Sequence, residues 1–281
     1  MDNFPQQRDV ARQIARRIAH DVPNIDLLFP SWARRKNPLV ARELGEYWRV
    51  FLPEVRPLVL WVMGYGALLV LTLIYPIFTL AVILPVLIGG IVFPFMLYQY
   101  AVNLWFILQD TSYSMAREYE NNTIDLIRVT PYTSREIILS KIAAGVWRRM
   151  DVLSFLSLFT AVLGMPITII FYLNAYPPEL YPLLAHGLSF VAVISYLIRV
   201  PLEMVMVSAV GVWMGTAVRT RQNALSSAVF LVVFYFLLLN MLRFIEVDWM
   251  MRLLLDAFVP LALPLLVTAG CVWGAMQSLK A

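Results

Sequence analysis

Between Pro57 and Gln109 the chain contains no Asp, Glu, Lys, Arg or His. A helix crosses the hydrocarbon core of a bilayer in about 20 residues. The run is therefore too long for one span and long enough for two. Pro76 and Pro85 bracket the expected turn, which places the first span at about 57–76 and the second at about 83–108. That turn is almost without polar residues, so the hairpin barely leaves the membrane.

The remaining sequence agrees with a lipid-solvated chain. Charged residues make up 14% of it, 60% is hydrophobic, and the mean hydropathy is +0.73; soluble domains carry about 25% charged residues. Length alone would allow two soluble domains, but the apolar runs favour one membrane domain of 281 residues. The single cysteine, Cys271, forms no intrachain disulfide and does not report on redox compartment. His20 and His186 are far apart in sequence, so no metal cluster is spelled out. The first 30 residues hold four arginines and no apolar core, so no cleavable signal peptide is expected and the first span would serve as the insertion signal.

A polar island follows at 109–151. Thr133-Ser-Arg-Glu136 fits a capping box, in which Thr133 and Glu136 satisfy each other's free backbone donors, so a helix is expected to begin there. It passes Lys141, Arg148, Arg149 and Asp151 before becoming apolar, which gives a third span at about 152–173, kinked near Gly164 and Pro166. Three prolines mark a loop at 174–182. The fourth span is expected at about 199–218, because Arg199 lies about 30 Å along a helix from Arg219 and so at the opposite membrane face. Residues 183–198 would form a separate external or partly inserted helix. The fifth span is expected at about 224–242, an amphipathic connection at 243–252, and the sixth span at about 253–276, interrupted by Pro260 and Pro264.

The basic residues set the orientation. With six spans, 19 of the 22 Lys and Arg lie on the side of the N-terminus; only Arg199, Arg243 and Arg252 lie on the other. By the positive-inside rule both termini and the 109–151 island are cytoplasmic. The expected fold is all-α integral membrane. Residues 1–56 form a basic cytoplasmic N-terminal segment with an amphipathic interface helix, and residues 57–281 form the six-span domain. The N-terminal stretch 6–20 reads as a basic helix, with Arg8, Arg12 and Arg16 on one face.

Two segments carry a family resemblance. Glu118, Glu120 and Thr123 open the island; Ile124, Asp125, Leu126, Ile127, Arg128 and Val129 form an amphipathic turn. Thr130-Pro131 follows, and then the capped helix with Arg135 and Lys141. This order resembles the cytoplasmic coupling segment of type-2 permeases of ATP-binding-cassette transporters. Asn122 and Ser140 stand where that family usually has glycine; Asn tolerates left-handed backbone. Upstream, Asn37-Pro38 with Arg42-Glu43 resembles the opening of the family's N-terminal interface helix. Leu39, Val40, Leu44, Tyr47, Trp48 and Phe51 recur there at helical spacing, as a helix lying flat at the headgroups requires.

The resemblance implies a permease subunit with a coupling helix between spans two and three, on which Ile124, Leu126, Ile127 and Val129 dock into an ATPase. The chain has no phosphate-cradling Gly-x-x-x-x-Gly-Lys-Ser/Thr. ATP and Mg are therefore expected on a separate nucleotide-binding subunit, and this chain is not expected to be an enzyme. A second permease protomer, identical or related, completes the implied assembly in the inner membrane of a prokaryote, mostly for export. The partners are the ATPase, the second protomer and membrane lipid; nucleic acid is not among them, since nothing builds a groove reader. Spans two and five would line the pathway, with Tyr98, Gln99, Asn103, Ser226, Ser227 and Asn240 as candidates. A secondary transporter or channel, and an intramembrane enzyme or non-transporting scaffold subunit of a membrane complex, are the rival readings.

Overall fold

The structure is a computed structural model that describes residues 29–45, 60, 63–68, 71, 75, 77, 79–150, 152, 156, 174, 182–242, 245 and 248–280. Among these residues every element is helical: α1 (Pro38–Leu44), α2 (Thr79–Glu120), α3 (Ile124–Arg128), α4 (Ser134–Trp147), α5 (Pro182–Val218), α6 (Arg221–Met241), α7 (Trp249–Leu253) and α8 (Val259–Lys280). Four helices are long and apolar enough to cross a membrane: Gly90–Glu120, Ile198–Val218, Arg221–Met241 and Met250–Leu279. The first and third expected spans, the basic 6–20 helix and residues 46–56 lie outside the described residues, apart from isolated positions.

Helix α5 is the centre of the bundle. Some 72% of its apolar window is buried, against 28% for α2 and α6 and 18% for the last helix. It packs against α2, α4, α6 and α8. Close approach is possible because its packing face carries Ser208, Gly211 and Gly215. A Cβ on Gly215 would lie 2.5 Å from the backbone oxygen of Ser112, and one on Gly211 would collide with the Thr111 hydroxyl. Gly145 of α4 meets Thr111 and Ser208 in the same way, and Ser208 Oγ donates to the Ile142 carbonyl (2.9 Å). Small residues spaced four apart are how membrane helices bring their backbones together when the hydrophobic effect gives no drive. The spacing of Gly211 and Gly215 was a signal in the sequence that the reading above passed over.

Four boundaries differ from expectation. Helix α2 starts at Thr79, so Pro85 lies inside it and not at the turn. It also continues unbroken to Glu120, so the polar stretch 109–120 is a helical extension of the second span. Helix α5 runs through Pro201, so 183–198 is no separate element. Packing on both sides holds the helix together across one missing hydrogen bond. Before the last helix, Leu254–Phe258 form a π-helical turn, a common accommodation where a proline, here Pro260, cannot take the regular bond. Helix α1 is short because Gly45, at φ 53°, ends it.

Gly215→Ala is expected to lower the thermal unfolding midpoint in detergent, at a cost of roughly 1–3 kcal/mol from overpacking against fixed backbone. Gly270→Ala, where a Cβ meets nothing within 4 Å, is expected to leave it unchanged. Equal midpoints for the two variants would rule out the close-contact account.

Candidate functional site

At the polar C-terminal end of α2, three helices meet on one buried ammonium. Lys141 of α4 is 4% exposed. Its Nζ donates to Glu43 Oε1 of α1 (2.6 Å) and to the Ser114 carbonyl (3.3 Å), and lies 3.6 Å from Glu118 Oε1 of α2. Glu118, also buried, accepts from Arg42 Nη2 (3.1 Å) and from the Thr123 hydroxyl. Two carboxylates thus face two cations, with Lys141 and Glu118 buried and Arg42 reaching in from the exposed edge. Taking such a charge from water costs several kcal/mol, and only complete pairing offsets it. Arg42, Glu43, Glu118, Thr123 and Lys141 were read separately along the sequence; the fold brings them into one cluster.

The N-terminal segment is fixed to α4 by further contacts. Ser140 Oγ donates to the Trp32 carbonyl (3.0 Å), Trp147 Nε1 to the Ala33 carbonyl (2.7 Å), and Arg148 to the Glu43 carbonyl. Phe29 packs edge-on against Trp147, with ring centroids 5.0 Å apart. Val40 and Leu44 complete a small apolar core with Ala143 and Ala144. Asn37 caps α1 by accepting from the Leu39 amide (2.9 Å), with Pro38 at the first helical position. Ser140, where the resemblance has glycine, is completely buried and uses its hydroxyl in this joint.

Beyond Glu118 the chain turns sharply into α3. Asn122 sits at φ 55°, a left-handed position that suits glycine or asparagine. Ile124 and Ile127 are buried against the chain's own core, while Leu126 is 68% and Val129 81% exposed. The expectation that all four apolar residues face outward is therefore corrected: two anchor the turn and two are presented, because a single helical turn cannot point four side chains the same way. Asp125, Pro131 and Arg135 are exposed beside them.

The turn is braced on three sides. Arg128 Nη2 donates to the Leu279 carbonyl at the end of α8 (2.6 Å), one of the acceptors a helix C-terminus leaves open. Glu120 takes the Arg221 side chain (2.6 Å) and backbone amide (3.0 Å), joining α2 to the start of α6. Thr130 Oγ1 donates to the Ile127 carbonyl (2.6 Å). The expected capping box is present at Thr133 and Glu136. The Thr133 amide, and then its hydroxyl, hold the Glu136 carboxyl below its ordinary 4.5. Because that value is depressed, this cap stabilises α4 above pH 4.5 and is lost as pH falls through the lowered value.

Among the described residues no hydrogen bond joins the six pathway candidates to one another. Asn103 is buried and donates weakly to Met204 Sδ (3.9 Å); Tyr98 is 63% exposed. Asn240 bonds the Phe236 carbonyl (2.7 Å) and Ser226 the Gln222 carbonyl (2.9 Å), each on its own helix. Ser226 and Ser227 line an open apolar groove of about 510 Å³ with Trp213, Met214, Phe230 and Leu231. Gln99 is partly exposed.

Replacing Lys141 by Met leaves Glu43 and Glu118 facing each other without their shared cation. Breaking a buried pair this way is expected to cost about 3–5 kcal/mol. It should expose the 29–45 segment to protease. Adding Glu43→Gln and Glu118→Gln to Lys141→Met is expected to recover part of the loss in thermal midpoint; no recovery would contradict the charge account.

Comparison of the chain with family models, curated proteins and solved structures returns no match.

Proposed function

We propose that this chain is the membrane-spanning permease subunit of an ATP-driven transporter of the type-2 ATP-binding-cassette kind, acting with nucleotide-binding subunits on separate chains. The observation that carries the reading is α3, a single turn that presents Leu126 and Val129 outward while Ile124 and Ile127 fix it inward. Exposed apolar side chains at the polar end of a membrane protein, rimmed by Asp125, Pro131 and Arg135, have the make-up of a protein contact. Bracing of α3 to α8 through Arg128, and of the adjoining end of α2 to α6 through Glu120, suits a surface that must transmit force and not merely bind.

ATP is bound and hydrolysed on the partner, since this sequence has no phosphate-cradling loop of its own. Opening and closing of the ATPase pair moves α3, and the Lys141 cluster passes that motion to α1, α2 and α4. A second permease protomer, identical or related, completes the pathway in a prokaryotic inner membrane, with both termini cytoplasmic and export as the direction.

The test is mild-detergent purification of the tagged chain from its native membrane. The wild type is expected to bring a stoichiometric subunit carrying a phosphate-binding loop. Leu126→Glu with Val129→Glu is expected to lose that subunit at least tenfold while keeping the wild-type thermal midpoint. Charge reversal at Asp125 with Arg128 is expected to leave ATP hydrolysis uncoupled from transport. A wild-type chain that comes alone, or a glutamate variant that retains the ATPase fully, would overturn the proposal.

A further inference from the structure

A second cluster of buried charge lies inside the bundle. Arg199 Nε donates to Glu203 Oε1 (2.5 Å), and the side chains are 12% and 2% exposed. The Tyr100 hydroxyl of α2 donates to the other Glu203 oxygen, and the Tyr235 hydroxyl of α6 donates to Oε1 (3.5 Å). One carboxylate therefore ties three helices together. The count from Arg219 sets the pair near the end of the candidate span Ile198–Val218. Two ionisable groups buried among apolar helices are costly and are kept for a function.

Pro201 lies between the two members of the pair. It removes one backbone hydrogen bond and weakens α5 at that point. Below Pro201 the helix is immobilised: Gly211 and Gly215 are in backbone contact with α2, and Glu203 is held by two tyrosines. Arg199 lies above it and reaches back across the proline to Glu203.

We propose that Pro201 is a hinge in α5 and that the Arg199–Glu203 pair, anchored by Tyr100 and Tyr235, is the latch that keeps it straight. With the latch closed, the segment above Pro201 stays aligned with the packed lower half. Opening it separates two buried charges, which costs enough that the hinge stays shut until an applied force or a competing polar group replaces the partner. The Nη groups of Arg199 make no hydrogen bond to any described residue, so a competing acceptor has donors to meet. The inference does not depend on which engine drives the protein.

The test uses the full chain in lipid nanodiscs with Cys271→Ala and spin labels at two exposed positions, Ile194→Cys on the upper half of α5 and Leu237→Cys on α6. The wild-type latch is expected to give one narrow distance distribution. Glu203→Gln is expected to shift or broaden it by about 4 Å, the arc of a 20° kink over seven residues. Pro201→Ala added to Glu203→Gln is expected to restore the narrow distribution. If Glu203→Gln fails to assemble, Arg199→Lys, which keeps the charge but not the reach and fork of the guanidinium, carries the same comparison. An unchanged distribution in the latch variant, or a broadening that Pro201→Ala leaves in place, would overturn the proposal. Neither result depends on an ATPase, so a failure here is separate from a failure of the functional reading above.

Discussion

The polar end of the helix bundle depends on one ammonium group kept out of water. Lys141 is stable where it is only while Glu43, Glu118 and the Ser114 carbonyl surround it. Glu43 comes from α1, and Glu118 and Ser114 come from α2, so the requirement to pair one charge fixes α1 against α4 and both against α2. Hydrophobic contact adds to this joint through Val40, Leu44 and Trp147. Apolar packing tolerates sliding, whereas a buried charge with two partners does not. The ion cluster therefore sets the register, and the apolar contacts add area.

The two buried clusters differ in how far apart their members lie in sequence. The Lys141 site joins residues separated by 98 positions in one case, Glu43 and Lys141, and resists any motion of α1 relative to α4. The Arg199–Glu203 pair lies within a single helix, across a proline, and resists only bending there. One cluster makes a rigid body and the other restrains a joint. A membrane protein that changes shape needs both kinds of element, since stiffness throughout forbids motion and softness throughout transmits none.

Much of this was legible in the residues. The apolar runs, the capping box at Thr133 and Glu136, the Asn-Pro helix start at 37–38 and the tolerance of Asn122 for left-handed backbone all rest on local chemistry, which a sequence displays directly. What local chemistry does not reveal is who faces whom. Glu118 and Lys141 were read as members of a coupling segment; only the fold shows that each helps to satisfy the other. Ile124 and Ile127 were read as docking residues with Leu126 and Val129, and the fold buries them. The small-residue spacing at Gly211 and Gly215, by contrast, was a local signal of close helix packing.

The unbroken course of α2 has a mechanical consequence. Of its 42 residues, Gly90–Glu120 are long and apolar enough to cross a membrane, and Asp110 divides that stretch into 20 residues on one side and ten on the other. At 1.5 Å per residue these are arms of about 30 Å and 15 Å. The long arm holds Pro94, which gives up a backbone hydrogen bond, and the short arm has no proline. A push near Glu120 therefore travels stiffly as far as Asp110, and bending is taken up in the longer arm.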